Sequence, residues 1–306
     1  MKRVLVTGAR GYVAPWAIAA LHQAGFDVHG TSSIRDVRAK NATLHYADLL
    51  DGDIAGLIGD VQPTHLLLAA WVTKHREFWE SPDNDGWLAA NVSIAERFFA
   101  NGGRRLVFAG SCAAYDWSDP ILRNPVKEDA AQGAPLTRYG RAKREAAARI
   151  AALARQAGAS FADGRIFFPV GMQEAPARLI PSLIVALREG RNPGLRNPAL
   201  VRDFIDVRDA GAALAVLLDS AVEGPVNIGS GHGIRLDAVA AKLAAMLDRQ
   251  DVLRYQPPGE LGTEPPVLVA DISRLTNEAG FTPCYSLDQT LASAISAVTE
   301  SRATEA

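Results

Sequence analysis

The sequence predicts a doubly wound α/β protein, a parallel sheet covered by helices on both faces, followed by a smaller mixed α/β lobe. Three observations carry this reading. Short apolar, β-branched runs are followed by helical patterns from the first residues onward, the order that builds parallel strands. The first strand breaks into glycines and then a helix, Val6-Thr7-Gly8-Ala9-Arg10-Gly11-Tyr12-Val13-Ala14. The run His65-Leu66-Leu67-Leu68-Ala69-Ala70 is almost continuously apolar, as a strand covered on both faces should be.

Composition narrows the function classes. A chain of 306 residues can form one large or two modest domains around a sizeable core. Thirty-four acidic residues against 32 Lys+Arg leave a net charge of −2 with no basic block, which argues against nucleic acid or an anionic membrane as partner. Two cysteines, Cys112 and Cys284, give neither a disulfide framework nor a zinc spacing. A strand begins at once, leaving no room for a signal peptide, and no apolar run reaches about 18 residues, so a cytoplasmic enzyme is expected.

The first strand is Lys2–Thr7, and a helix starts near Ala14. Gly8 lets the chain turn sharply, Gly11 lets backbone approach a pyrophosphate, and small Ala14 lets helix and strand pack closely. Pro15 falls in the first helical turn, where a missing N–H costs least. The unpaired N–H groups and positive dipole end of that helix make a phosphate site. The second strand, Asp27–Ser32, ends where an NAD site has an acid for the ribose 2′-OH. Here stand Ser32 and Ser33, with Arg35 beyond and Arg10 inside the glycine turn. No carboxylate repels a 2′-phosphate and two guanidiniums could clamp one, so NADP(H) is favoured over NAD(H). The alternative is that both arginines are solvated loop residues.

A third strand, Leu44–Ala47, ends in Asp48-Leu49, either an adenine contact or a turn capped by its aspartate. The fourth, His65–Ala70, closes on Ala69 and Ala70, which leave room for a ribose. An aromatic and charged loop, Trp71–Trp79, follows at the edge where α/β sheets bind ligands. His75 within it has no second ligand nearby, and no metal site is expected. A helix over Trp87–Ala100 carries Asn91, and the fifth strand, Arg105–Gly110, ends in Ser111-Cys112-Ala113. After a Pro- and Asp-rich loop, Tyr139-x-x-x-Lys143 opens an Ala-rich helix to about Gln156, placing both side chains on one face. The sixth strand is expected near Gly164–Phe168.

In this order the pieces resemble the extended short-chain dehydrogenase/reductase family, especially its nucleotide-sugar branch of epimerases, dehydratases and ketoreductases. The resemblance implies a Rossmann-type nucleotide-binding domain over 1–168 and a substrate lobe over 169–306, with a helix near 207–220 returning to the first. It implies that Gly8, Arg10, Gly11, Tyr12 and Val13 form the cofactor turn, and that Asp48 and Leu49 meet the adenine. Ala69, Ala70, Trp71 and Asn91 would also serve the cofactor, and Phe168 and Val170 would flank its nicotinamide. Tyr139 would move the proton, Lys143 would lower its pKa and hold a ribose, and Ser111 would hydrogen-bond the substrate carbonyl. Cys112, Ala113, Arg178 and Leu179 would border the substrate, and Arg202, in Val201-Arg202-Asp203-Phe204-Ile205, would grip a pyrophosphate. Val226-Asn227-Ile228-Gly229-Ser230-Gly231 matches a strand and turn of the same branch.

The departures shape the expectation. Cys112 and Ala113 stand where the dehydratases carry an Asp-Glu pair, so water elimination has no proton-transfer groups there. Phe168 replaces an asparagine common in epimerases, and a second pyrophosphate arginine near Glu264-Pro265-Pro266 is missing. The sequence therefore points first to an NADPH-dependent reductase of a nucleotide-linked keto-sugar, such as a 4-keto-6-deoxyhexose, working as a homodimer. A nucleotide-sugar 4-epimerase is the alternative. A non-catalytic NADP(H)-binding regulator and a reductase of a non-nucleotide carbonyl compound also stay open.

Overall fold

The computed structural model describes residues 2–35, 37–51, 54–72, 77–118, 125–129, 133–254 and 264–305. The first half of the chain alternates strands and helices: β1 (Arg3–Thr7), α1 (Ala14–Gln23), β2 (Asp27–Ser32), β3 (Thr43–Tyr46), α2 (Ile54–Val61), β4 (His65–Leu68), α3 (Asp83–Ala100), β5 (Arg105–Ser111), α4 (Arg138–Gln156) and β6 (Ser160–Ile166). Strands β7 (Pro169–Val170), β8 (Val201–Asp203) and β9 (Ile205–Asp206) are interleaved with α5 (Leu179–Arg188) and lead into α6 (Val207–Asp219). The remainder is β10 (Gly224–Ile228), β11 (Gly233–Arg235), α7 (Leu236–Met246), β12 (Val267–Leu268), α8 (Ser273–Asn277) and α9 (Leu287–Glu305).

Seven strands form one parallel sheet in the order β10-β6-β5-β4-β1-β2-β3. Period-2 alternation sends Val4 and Val6 to one face, against Ala17, Ile18 and Leu21 of α1 and Leu214 and Leu217 of α6. Leu5, Leu66 and Leu68 face the other side, against Ile94 and Phe98 of α3 and Ala146 and Ile150 of α4. After β1 the chain builds outward to β3, then crosses back to β4. The switch point between β1 and β4 is where such sheets open a ligand crevice.

Helices α1 and α6 touch because Gly211 has no side chain. A Cβ there would fall 2.4 Å from Trp16 Cβ and 2.7 Å from the Ala17 nitrogen. Gly211→Ala is expected to cost roughly 1–3 kcal/mol in urea unfolding. Gly56→Ala on α2, whose Cβ would meet nothing within 4 Å, should be neutral or stabilising.

The second lobe joins β11, β8 and β12 in one small sheet and β7 and β9 in another. Its core packs Ile180 and Leu183 of α5, Val239 and Leu243 of α7, and Leu291 of α9. Two elements lie elsewhere than the sequence suggests. The sixth strand occupies Ser160–Ile166, because Gly158 (φ +62°) turns the chain directly out of α4 into the strand and Pro169 can donate nothing to the large sheet's ladder. The helix carrying Asn91 begins at Asp83, four residues before Trp87, after the Ser81-Pro82 turn. Strand β10 joins the main sheet beside β6, and α6 packs on α1, so both contribute to the larger layer.

Candidate active site

The glycine turn, the ends of β4 and β5 and the first turn of α4 face one cleft of about 770 Å³. Gly8 has φ +66°, and a Cβ on it would stand 3.0 Å from Ala70. The two strand ends can meet there only because Gly8 and Ala70 are small. The Gly8 N–H donates to Thr31 Oγ1 (3.1 Å), and the Gly11 N–H donates to the Gly8 carbonyl (2.8 Å). Thr7 Oγ1 accepts from the backbone N–H groups of Ala69 and Ala70 (3.0 and 3.1 Å), locking the ends of β1 and β4 together. A turn of this shape opening a helix fits a dinucleotide, with the pyrophosphate at the start of α1.

Arg10, Gly11, Tyr12 and Val13 line the cleft beside Gly8, and Ser32 and Ser33 border it at the end of β2. Ser32 Oγ accepts from the Ile34 N–H (3.0 Å), which shapes the turn. Asp48 and Leu49 also reach the cleft, and Asp48 Oδ1 accepts from the Leu50 N–H (3.0 Å). Ala69, Ala70 and Trp71 continue the wall to the chemistry.

At that end lie Ser111, Cys112, Tyr139, Lys143, Phe168 and Arg178. Ser111 ends β5, and its Oγ accepts from the Ala113 N–H (3.2 Å). Thr137 caps α4 through its hydroxyl, which accepts from the Gly140 N–H (3.0 Å) and fixes where Tyr139 and Lys143 emerge. Burial pushes Tyr139 up to about 12, opposed by the Ser111 hydroxyl, which favours the phenolate. Lys143 is buried, and its Nζ donates to the Ala109 carbonyl (2.8 Å) while lying 4.1 Å from the centre of the Trp71 ring. Desolvation pulls it down to about 7. The expectation that Lys143 lowers Tyr139 is thus not met in this cleft: the ammonium lies 5.9 Å from the centre of the Tyr139 ring, and desolvation dominates both groups. Cys112 is a thiol driven up to about 12 by burial, which leaves it no role as a base at neutral pH.

Six expected contacts lie off the cleft surface. Asn91 is buried behind Ala70, donating to the Trp87 and Ala70 carbonyls (2.8 and 3.4 Å), so it braces the wall from behind. The Arg35 guanidinium stacks on the Tyr46 ring, 3.8 Å from its centre. Ala113 turns inward against Gly140 of α4, and Val170 and Leu179 belong to the core of the second lobe. Arg202 is buried with β8. It donates to the Val201 and Pro265 carbonyls (both 2.9 Å) and pairs with Glu264 (3.0 Å), which occupies the charge expected for a pyrophosphate. Arg178 instead borders the cleft, paired with buried Glu174 (3.1 Å).

The cleft also uses residues to which the sequence reading gave no role of their own. Phe78 and Trp79 pack edge-on against the Tyr139 ring (centroids 4.9 and 5.7 Å apart), and the Tyr139 N–H donates to the Trp79 carbonyl (2.9 Å). Trp87 and Phe167 complete the apolar wall. Aromatic density in the Trp71–Trp79 loop was the available signal, and His75 of that loop lies outside the described residues. Among the described residues, no group of three or more His, Cys, Asp or Glu is placed to hold a metal, and no helix is long and apolar enough to cross a membrane.

The model of the NAD dependent epimerase/dehydratase family matches residues 4–229. A UDP-glucose 4-epimerase of Corynebacterium glutamicum is 25% identical, the match covering 92% of this chain and 91% of that protein. The fold is shared with a UDP-glucose 4-epimerase of Thermotoga maritima solved with UDP-glucose (TM-score 0.84, 17% identity, 98% of this chain and 99% of that one). It is shared equally with a UDP-N-acetylglucosamine 4-epimerase of Methanobrevibacter ruminantium (TM-score 0.85, 20% identity, 98% and 99%).

Proposed function

The chain belongs to the NAD dependent epimerase/dehydratase family, and from that premise we propose that it is a 4-epimerase acting on a nucleotide-linked sugar, a UDP-hexose in the first instance. The observation that carries this reading is the likeness to a UDP-glucose 4-epimerase along 92% of the chain. It ranks above the keto-sugar reductase that the sequence first suggested. A bound nicotinamide dinucleotide supplies a hydride acceptor that can also return the hydride. Gly8, Gly11 and the start of α1 would hold its pyrophosphate, and Lys143 its nicotinamide ribose.

The protein's own part is proton transfer and orientation. Tyr139 takes the proton of the C4 hydroxyl and later gives it back, and Ser111 hydrogen-bonds the same oxygen as it becomes a carbonyl. Inversion requires the keto-sugar to present its other face between these steps. Flat apolar walls such as Phe168 and Trp79 would hold it without fixing one orientation. No acid–base pair adjoins Ser111, since Cys112 and Ala113 follow it, so elimination has no groups to carry it. Incubation with UDP-glucose, UDP-galactose and their N-acetyl forms should interconvert C4 epimers with no net change in coenzyme. Stoichiometric NADPH oxidation with a keto-sugar, and no epimerisation, would overturn the reading.

That second outcome has an observation in its favour. Ser32 and Ser33, rather than an acid, end β2, and Arg10 lines the cleft next to them. Arg35 would have to leave the Tyr46 ring to join a 2′-phosphate. NADPH is expected to bind at least about tenfold tighter than NADH, roughly 1.4 kcal/mol, and Ser32→Asp to reverse the order. Fluorescence titration of both coenzymes measures this, and an NADH preference in the unaltered protein would remove the case for the reductase.

A further inference from the structure

Beneath Lys143 lies a buried carboxylate for which the chemistry above has no use. On β6, Phe161 packs into the core under α4 and Ala162 into the core on the opposite face. Asp163, two residues on from Phe161, therefore points toward α4, the helix that carries Lys143. It is 4% exposed. Its Oδ2 accepts from Arg165 Nε (2.9 Å), whereas Oδ1 is buried without a hydrogen-bond partner. A Cβ on Gly110 would lie 2.0 Å from that oxygen, so the carboxylate rests on bare backbone of β5. The residue before Gly110 is Ala109, whose carbonyl receives Lys143 Nζ.

A buried, half-satisfied carboxylate is costly, and packing alone would be served by an apolar side chain. Its surroundings give it one use. The helix above brings Lys143 and Tyr139, the same strand Arg165 two residues on, and the turn after β5 brings Tyr115, whose ring lies under the Arg165 guanidinium (4.7 Å), and Cys112. Glu128 adds its backbone carbonyl to Arg165 (3.1 Å). Arg165 is held on one side by that carbonyl and on the other by Oδ2, which leaves Oδ1 directed at the segment that anchors the lysine.

We propose that Asp163 is a positioning residue for Lys143, its carboxylate keeping that side chain an ammonium and seated at the Ala109 carbonyl. The inference rests on the reading of Lys143 as part of the active site, and it adds a buried fourth member behind Ser111, Tyr139 and Lys143. Desolvation works against the lysine's charge, and the Asp163 charge works for it.

The test needs no substrate. The chain has six lysines, so ¹³Cε-lysine labelling gives few signals, and the one lost in Lys143→Met is assigned directly. Titrations run on the full chain, with and without saturating NAD⁺. Asp163→Asn should lower the Lys143 midpoint by at least about one pH unit, tenfold in its dissociation constant, and Asp163→Glu should restore most of it. Asp163→Asn combined with Arg165→Gln removes the pair without stranding a guanidinium, and should also lower the midpoint. A midpoint unchanged in either folded variant overturns the proposal. If the chain turned over no nucleotide sugar while the midpoint still moved, the function reading would fall and this one would stand.

Discussion

Tyr139→Phe is expected to lower turnover about 10²–10⁴-fold while leaving coenzyme affinity nearly unchanged, the loss typical of a removed acid–base group. The phenolic oxygen combines proton chemistry with the Ser111 hydroxyl beside it. Removing it takes away proton transfer and little else, since the ring and its edge contacts with Phe78 and Trp79 survive the change. The pH dependence has a defined sign. Burial holds the phenol near 12, so at neutral pH the phenolate is a small minority and grows tenfold with each pH unit. In the direction that needs a base, kcat should therefore climb through the alkaline range. Ser111→Ala should push the climb to higher pH by removing a group that favours the anion. Normal turnover in Tyr139→Phe, on a substrate that the unaltered protein converts, would sink the mechanism.

How much of this was visible in the sequence depends on what kind of signal each residue carries. β1, β4 and β5 were legible because short, largely apolar runs leave a buried strand as the economical reading, and Ser111, Tyr139 and Lys143 line one cleft. Arg202 shows what a motif leaves out. Its type and spacing fit a pyrophosphate grip, yet the paired Glu264 lies 62 residues away and meets it only through the pairing of β8 with β12. Asn91 likewise keeps its place in the pattern but acts through the Ala70 carbonyl, behind the wall. Phe78 and Trp79 were noticed as an aromatic loop. Their landing point depends on the Trp79 carbonyl meeting the Tyr139 N–H, a contact across 60 residues that no local period encodes. Asp163 sits in a strand whose neighbours are apolar, and its meaning appears only once Gly110 and Lys143 are placed around it.

Lys143→Met is expected to abolish turnover and at the same time raise the stability of the coenzyme-free protein. The lysine sits near 7 when folded and would sit near its ordinary 10.4 when unfolded. Between these values the unfolded chain binds more protons than the folded one, so stability rises with pH across this window. Below pH 7 the folded state therefore carries a penalty of roughly 5 kcal/mol, at about 1.4 per unit. Methionine puts an apolar thioether and methyl where Nζ lies over the Trp71 and Phe108 rings (4.1 and 4.6 Å) and brings no charge to desolvate, while Asp163 retains Arg165 as its partner. The variant should gain several degrees in Tm at pH 7, and the gain should shrink steadily toward pH 10. Saturating coenzyme should narrow the difference as well, because only the unaltered protein has an ammonium to offer the ribose. Thermal unfolding of both proteins at four or five pH values decides the matter. A variant less stable than its parent at pH 7, or a difference that does not vary with pH, would show that the lysine's charge is already compensated where it is buried, and that its low pKa is not a cost borne for function.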